Sequence, residues 1–439
     1  MSKEEVLSIV KEKEICFIQC WFTDILGRLK SFTITPGELP EALEEGMGFD
    51  GSSIEGFVRI EESDMIAKPN PDTFQLIPWK VDGHNSARMI CDILNPDGTP
   101  YEGDTRYILK RVLAKAQKKG YVFCVGPELE YFYFTAAESP VCLDQGGYFD
   151  GRPVDMGEEL REKTINALEK MSVRVEYGHH EVAPSQHEID LRYDDALTMA
   201  DKVMTHRLVV KEIARQNGFY ATFMPKPIEG VNGSGMHTHQ SLFVGNKNAF
   251  FDANDQYHLS PIAKAYIAGI LRHIREITAV CNQWVNSYKR LVPGYEAPVY
   301  ISWARRNRSA LVRVPMYKPG KEKATRIELR SPDPACNPYL AFAVMLSAGL
   351  KGIEENYPLV EPVEKDIFHM NEEMKNQLRI VSLPGSLMEA VEEMEKSDLL
   401  KETLGEHIFN KFIANKKVEW DRFRIHVTKY EVDKYLPVL

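Results

Sequence analysis

The segment YVFCVGPELEYFYF, residues 121–134, is long, aromatic and β-branched enough to predict a single strand running through a core. Side chains at i and i+2 of a strand leave the same face, so Glu128 and Glu130 point to one side together. An unpaired carboxylate among such apolar neighbours is costly to bury. Two other segments repeat the spacing: GMHTHQS carries His237 and His239, and TRIELRS carries Arg326, Glu328 and Arg330. If these faces converge, they enclose a pocket of carboxylate, imidazole and guanidinium, a composition suited to divalent metal and phosphate.

Working outward, a helix is expected just before this strand, where Tyr107, Leu109, Val112, Leu113 and Ala116 recur at helical spacing and Gly120 closes the element. A second helix is expected at about 195–217, ending before Gly218. Ser260 and Pro261 read as an N-cap and first helical residue of a third, running to about Tyr288, and Asn337 with Pro338 repeats that start. Ser386 and Glu389 form a capping box, with Gly405 marking the end of its helix. Toward the N-terminus, a short amphipathic helix precedes a hairpin of Ile15–Phe22 and Leu29–Ile34 turning near Gly27. Residues 49–64, FDGSSIEGFVRIEESD, are glycine-rich and polar and read as an exposed loop. The turn-dense NPDGTPYEGD at 95–104 is taken as a boundary between domains 1–103 and 104–439. Strands forming a sheet with helices packed behind it make the fold class α+β.

With 439 residues and 44% hydrophobic content, the chain has ample material for a core. A net charge of -10 leaves no basic footprint for nucleic acid or for an acidic membrane surface. No stretch approaches the roughly 20 apolar residues that span a bilayer, and the opening MSKEEVLSIVKEKEI lacks the apolar core of a signal peptide. A cytoplasmic location is the expectation. The cysteines at 16, 20, 91, 124, 142, 281 and 336 are odd in number, scattered and without a C-x-x-C pair, so they read as reduced, mostly buried thiols.

Further acids enlarge the candidate metal site: EYGHHEVAPSQHEID adds Glu176, Glu181 and Glu188. Carboxylates with an occasional imidazole suit Mg²⁺ or Mn²⁺, whereas structural zinc favours thiolates. A lone glutamate is ordinarily an exposed surface residue, but acids embedded in apolar runs such as VGPELEYFYF are not. Arg305, Arg306, Arg308 and Arg313, followed by Lys323, Arg326 and Arg330, supply donors for phosphate or carboxylate. The glycines of VNGSGMHTHQS let backbone approach a ligand closely, although the run matches no phosphate-loop pattern. In RLVPGYEAPV, Tyr295 and Glu296 lie in a loop of the kind that covers active sites.

These blocks, taken in order, closely resemble a class I glutamine synthetase of the bacterial and archaeal type. The resemblance rests on FDGSSIEGF (49–57), GPELEYF (126–132), HHEVAPSQHEID (179–190), NGSGMHTHQS (232–241), KRLVPGYEAPV (289–299), NRSALVRVP (307–315) and RIELRSPDPACNPYLA (326–341), and covers nearly the whole chain. It implies an N-terminal β-grasp domain, a catalytic domain whose antiparallel sheet is backed by helices, and a dodecamer of two stacked hexameric rings. Active sites would then lie between neighbouring subunits. It implies one ion, Mg²⁺ or Mn²⁺, on Glu130, Glu181 and Glu188, and a second on Glu128, His237 and Glu328. ATP would contact Glu176, His239, Ser241, Arg313 and Lys323, and L-glutamate would contact Asn232, Gly233, Arg290, Arg308 and Arg330. The implied reaction makes γ-glutamyl phosphate, with Arg308 and Arg330 screening charge. Asp50 would then bind ammonium and favour its deprotonation, while Glu296 closes over the intermediate.

The stretch KDIFHMNEE resembles the loop that is adenylylated on tyrosine in the long subgroup, but Phe368 stands there and has no hydroxyl. The shorter subgroup is therefore implied, regulated by small molecules or small partner proteins, and Arg59 resembles its arginine tied to glutamine feedback. Two rival functions are a glutamate ligase for a larger amine and a catalytically silent nitrogen sensor. The intact DGSS loop and VPGYE segment favour ammonia, and the full set of ligands and arginines favours catalysis.

Overall fold

The computed structural model describes residues 1–439 except 53, 55, 57–63, 308, 366, 378 and 379, and the side chains of 368, 372 and 376. Arg59 and Arg308 lie outside the described residues. Helix α1 (Lys3–Glu12) starts from a reciprocal capping box between Ser2 and Glu5 and buries Val6 and Val10. Strands β1 (Ile15–Thr23) and β2 (Leu29–Ile34) form the expected hairpin. Helix α2 (Leu39–Glu44) is followed by β3 (Met47–Asp50), β4 (Asp64–Pro69), β5 (Gln75–Val81) and β6 (His84–Leu94). They make one sheet of order β2-β1-β6-β4-β3, with β5 also on β6; β1 and β6 are parallel and the other pairs antiparallel. The expected loop at 49–64 is narrower than the sequence implied. Phe49, Asp50 and Asp64 are strand residues, with Asp50 opposite Asp64, and most of the interval between them is not described.

The remainder is built on a second, ten-stranded sheet. Helix α3 (Thr105–Lys118) leads into β7 (Val122–Phe134), then α4 (Glu158–Lys170), β8 (Val175–His180), β9 (Gln186–Leu191), β10 (Asp194–Asp195), α5 (Ala196–Gln216), β11 (Tyr220–Thr222), β12 (Met236–Val244) and β13 (Lys247–Asn248). Helices α6 (Pro261–Cys281) and α7 (Ser287–Arg290) precede β14 (Tyr300–Ala304), β15 (Ala310–Arg313) and β16 (Ile327–Leu329). Helices α8 (Pro338–Glu354), α9 (Glu372–Gln377), α10 (Leu387–Glu395), α11 (Asp398–Arg424) and α12 (Lys429–Tyr435) complete the chain. The strand order is β14-β15-β16-β12-β7-β9-β8, with β10 and β11 on β7 and β13 on β12. Expected to be antiparallel, the sheet departs from that at β14–β15, which is parallel. Residues 363–365 hold the connection open: Glu364 accepts from the Arg305 and Arg306 amides, and the Asn307 amide group donates to the carbonyls of Val363 and Lys365.

Helix α8 is buried on nearly every side, and it packs against α6 through Gly269 and Gly352. A Cβ at either glycine would lie 2.2 Å or less from a carbonyl oxygen of the facing helix, so only glycine permits this approach. Helix α6 stops at Cys281 rather than near Tyr288, because Asn282 leaves helical geometry and its amide donates to the Ser331 carbonyl and to Asp333. The helix after Ser386 ends at Glu395. Ser386 caps the Glu389 amide as expected, but the Glu389 carboxylate takes the Gly385 amide, and Gly405 is a kink within α11. All seven cysteines are free. Among the described residues, no helix is long and apolar enough to cross a membrane.

Asn337 joins the two sheets. Its Oδ1 caps α8 by accepting from the amides of Tyr339 and Leu340, while Nδ2 donates to the carbonyls of Asp24 (3.0 Å) and Ile25 (3.3 Å) in the β1–β2 turn. Asn337→Ala is expected to destabilise the protein by roughly 1–3 kcal/mol in chemical denaturation, whereas Asn337→Ser, which keeps the cap and loses the bridge, should fall between.

Candidate active site

Register builds the site. Glu128 on β7 lies opposite His237 on β12, His239 on β12 lies opposite Glu328 on β16, and Glu328 lies opposite Arg313 on β15. On the other side of β7, Glu130 is directly opposite Glu188 on β9, and Glu188 faces His179 on β8. Glu128, Glu130, Glu188, His237, Arg313 and Glu328 open into a cavity of about 770 Å³, which also receives Glu181, Asn232, Gly233, Arg290, Glu296 and Arg330. A smaller cavity of about 230 Å³ adjoins it at Glu128 and Tyr177, lined by Glu176, His239, Ser241 and Lys323. A third cavity, about 620 Å³ and more apolar, lies between the β1–β2 turn and α5. Its one carboxylate, Glu419, is already bound by Lys416 and the Val285 amide, and no imidazole lines it.

Two groups of side chains are close enough to share an ion. One ligand atom each from Glu128, His237 and Glu328 lies within 4.8 Å of the others, as does one each from His179, Glu181 and Glu188. Glu130 sits between them, its Oε1 4.0 Å from His237 Nε2, while Oε2 accepts from Gln186 Nε2 (3.0 Å) and the Gly235 amide (2.9 Å). The tightest grouping around Glu181 and Glu188 therefore includes His179 in the place expected for Glu130. Beneath it lies a fully buried set of Asp144, Asp155, His180 and His187. Arg161 already occupies that set, 2.9 Å from His187 Nδ1 and 2.8 Å from Asp155, so it braces the site instead of opening onto it. His180 completes the brace by donating from Nδ1 to the Glu181 carbonyl and from Nε2 to Asp144.

The electrostatics divide along the same line. Burial works against the Glu128 carboxylate, yet hydrogen bonds from His237 and His239 (2.7 Å) hold its pKa well below the ordinary range. Glu328, also buried, is held low by Arg330 at 2.6 Å and is bonded by Arg313 as well. His239 receives Arg326 on its Nδ1 (3.1 Å), which fixes the proton on Nε2 toward Glu128. In the other group Glu130 and Glu188 have, among the described residues, no arginine or histidine within hydrogen-bond distance. Burial, then repulsion from Glu181, pushes Glu130 up to about 8, and burial with the Asp190 charge raises Glu188 well above its ordinary range. Directly opposed acids in a low-dielectric cleft ask for a cation, and the all-oxygen and imidazole donor set fits a divalent one.

Of the described residues singled out from the sequence, Arg305 stands apart from these cavities with its guanidinium over the Tyr257 ring, and so does Asp50. It is exposed on β3, with its carboxylate taking the Ser52 amide. The Arg290 guanidinium is committed to the carbonyls of Ser331, Arg330 and Pro332, and so shapes the floor beneath Arg330. Sequence reasoning missed His179, although Tyr177 and His179 alternate along β8 and Glu181 continues the spacing just past its end, a pattern that could have found it. It also missed Tyr148, which lines the large cavity with its ring 5.3 Å from that of His179, and Tyr193, whose ring lies 7° from parallel to Phe243 at 6.5 Å. No local pattern announces either.

Comparison with known proteins follows the same two-part division. Residues 14–96 match the family described as glutamine synthetase, beta-Grasp domain, and residues 102–435 match glutamine synthetase, catalytic domain. The chain is 53% identical to a glutamine synthetase of Thermotoga maritima over 99% of its own length and 100% of the relative's. It is 54% identical to one of Mycolicibacterium smegmatis over 99% of each. Among solved structures, a GmaS/ADP complex superposes with a TM-score of 0.89 at 30% identity, covering 98% of this chain and 99% of the other.

In metal-free protein the fold keeps protons on Glu130 and Glu188 that the unfolded chain would release above about 4.5, so stability declines as pH rises from there toward 8. A divalent ion needs those groups ionised. Titrating metal-free protein with MgCl₂ at pH 7 in two buffers of different ionisation enthalpy should reveal proton release, on the order of one proton per site, that shrinks as the pH is raised through 8.

Proposed function

The chain belongs to the glutamine synthetase family, and we propose that its two adjoining cavities divide the family reaction between them, with nucleotide in the smaller and glutamate and ammonia in the larger. The reaction is the ATP-dependent, divalent-metal-dependent ligation of ammonia to the γ-carboxylate of L-glutamate. What carries the assignment of parts is the convergence of acids, imidazoles and guanidiniums from β7, β8, β9, β12, β15 and β16 onto one cleft.

Tyr193 lines the smaller cavity and offers one ring face to a planar base, and Glu176, His239, Ser241 and Lys323 surround the adjoining polar space. From there the phosphate chain points toward Arg313 and Arg330, whose guanidiniums are held in place by Glu328. Glu128, His237 and Glu328 would hold one ion, and Glu130, Glu181 and Glu188, with His179 beside them, a second. When bound, Mg²⁺ or Mn²⁺ supplies Lewis-acid charge to phosphate and carboxylate oxygens. Arg308 and Arg330 then screen repulsion between the γ-carboxylate and the incoming phosphoryl group, Asn232 and Gly233 hold the amino acid, and Arg290 sets the position of Arg330. The product of this first step is γ-glutamyl phosphate.

Amination requires a free lone pair on nitrogen. Asp50 and Glu296 bind the ammonium ion and favour loss of its proton, with Tyr148 and Glu181 walling the pocket. Asp50 is exposed and does not line the cavity of its own chain, which supports a ring assembly, a dodecamer of two hexamers, in which the N-terminal domain of one copy (residues 1–103) covers the catalytic domain (104–439) of the next. Arg59, near Asp50 in sequence, fits a feedback role for glutamine within that contact. Arg59→Ala is expected to relieve glutamine inhibition, read from initial rates with glutamine added.

Half-reactions separate these roles. Glu328→Ala should lower glutamate-dependent phosphoryl transfer from ATP by about 10²-fold or more, because it removes an ion ligand and unmoors two arginines. Asp50→Ala should keep γ-glutamyl phosphate formation and lose amination by about 10²–10⁴-fold, and equal loss of both half-reactions would contradict its part. Full turnover in Asp50→Ala with putrescine or ethanolamine in place of ammonium would point to the larger-amine ligase.

A further inference from the structure

The loop bearing Glu296 meets the loop bearing Asn232 and Gly233 at Lys226. This lysine follows β11, and its backbone is bracketed by Asn286, whose Oδ1 accepts from the Lys226 amide (2.8 Å) and whose Nδ2 donates to the Lys226 carbonyl (3.0 Å). The side chain reaches in two directions at once. Its Nζ donates to the carbonyl of Val231, immediately before Asn232, and lies 4.0 Å from the centroid of the Tyr295 ring, immediately before Glu296. Neighbouring contacts tighten the first loop further: the Ser234 amide donates to the Pro225 carbonyl (2.8 Å), and a Cβ on Gly233 would lie 2.3 Å from that same oxygen. On the second loop Glu296 holds a left-handed conformation, φ 57°, that glutamate adopts at a cost, and its carboxylate takes a hydrogen bond from the Asn232 amide group at 3.3 Å.

No carboxylate pairs with Lys226 among the described residues. A half-buried ammonium with no counter-ion, spending its donors on a carbonyl and its charge on an aromatic face, gains little as a surface charge. It gains if its task is to couple the two loops. We propose that Lys226 is a positioning residue that sets the Tyr295–Glu296 segment over the glutamate loop, so that the cleft stays closed while γ-glutamyl phosphate waits for ammonia. Resting on the closing role of Glu296, the proposal assigns Lys226 no contact with substrate. The cation holds Tyr295, Tyr295 holds the strained Glu296, and Glu296 meets Asn232. Loss of the cation opens the cleft to water, which cleaves the acyl phosphate to glutamate and phosphate.

The test is the phosphate released per glutamine formed at saturating ATP and glutamate with limiting ammonium, in the assembled enzyme. Lys226→Met should raise that ratio by about two- to thirty-fold, the range of a cation–π contact, and Tyr295→Leu should do the same. Lys226→Arg and Tyr295→Phe, which keep the cation and the ring face, should stay near parity. The double variant Lys226→Met/Tyr295→Leu should be no worse than either alone. A purely structural role would lower phosphate and glutamine together and leave the ratio unmoved. Parity in both Lys226→Met and Tyr295→Leu, with Glu296→Ala uncoupled, would remove Lys226 from this role and leave the Glu296 reading intact. Parity in Glu296→Ala would overturn the closing role and this proposal with it.

Discussion

Acids that face one another across antiparallel strands are the constraint on which this structure turns. Glu130 and Glu188 are a directly opposed like-charge pair, and Glu128 and Glu328 each stand opposite histidine in the next strand. Such an arrangement works against sheet stability. It persists because the surrounding sheet is anchored by a large apolar core behind it, to which α5, α6 and α8 each commit most of their residues. Core burial supplies the rigidity, and the unfavourable acid face is the functional surface.

Register is the second consequence. A slip of one residue at β7 would turn Glu128 and Glu130 into the core and bring Pro127, Leu129 and Tyr131 into the cleft. The helices make that slip expensive, because Leu129 and Tyr131 are fully buried on the opposite face. The same lock orders the arginines. Arg330 and Arg313 both settle on Glu328, so a single buried carboxylate organises the positive side of the cleft and also stands among the candidate ion ligands. The two ion groups differ for this reason: one has its negative charge already compensated by arginine and histidine, while the other holds raised carboxyl groups that await a cation.

Rigid and mobile parts are divided in space. The strands fix the acids, whereas the glutamate loop and the Tyr295–Glu296 segment meet through a few polar contacts, one cation–π pair and a strained residue. Weak, adjustable contacts of this kind belong where a site must open for substrate and close for chemistry.

Local pattern was enough to locate the long strand, the spacing-by-two of its acids, the helix starts at Ser260, Asn337 and Ser386, and the family blocks, because each depends on neighbours within a few residues. Helix ends were less legible. Cys281 and Gly405 are decided by distant partners, the strand end near Ser331 and the packing around Arg111, which no local window contains. Tertiary structure alone decided that Tyr148 meets His179 at the cleft, that Tyr193 parallels Phe243, and that Lys226 reaches Tyr295 on the second loop. Those pairings join residues tens of positions apart, and the free energy that selects them comes from burying the sheet against its helices, a property of the whole chain.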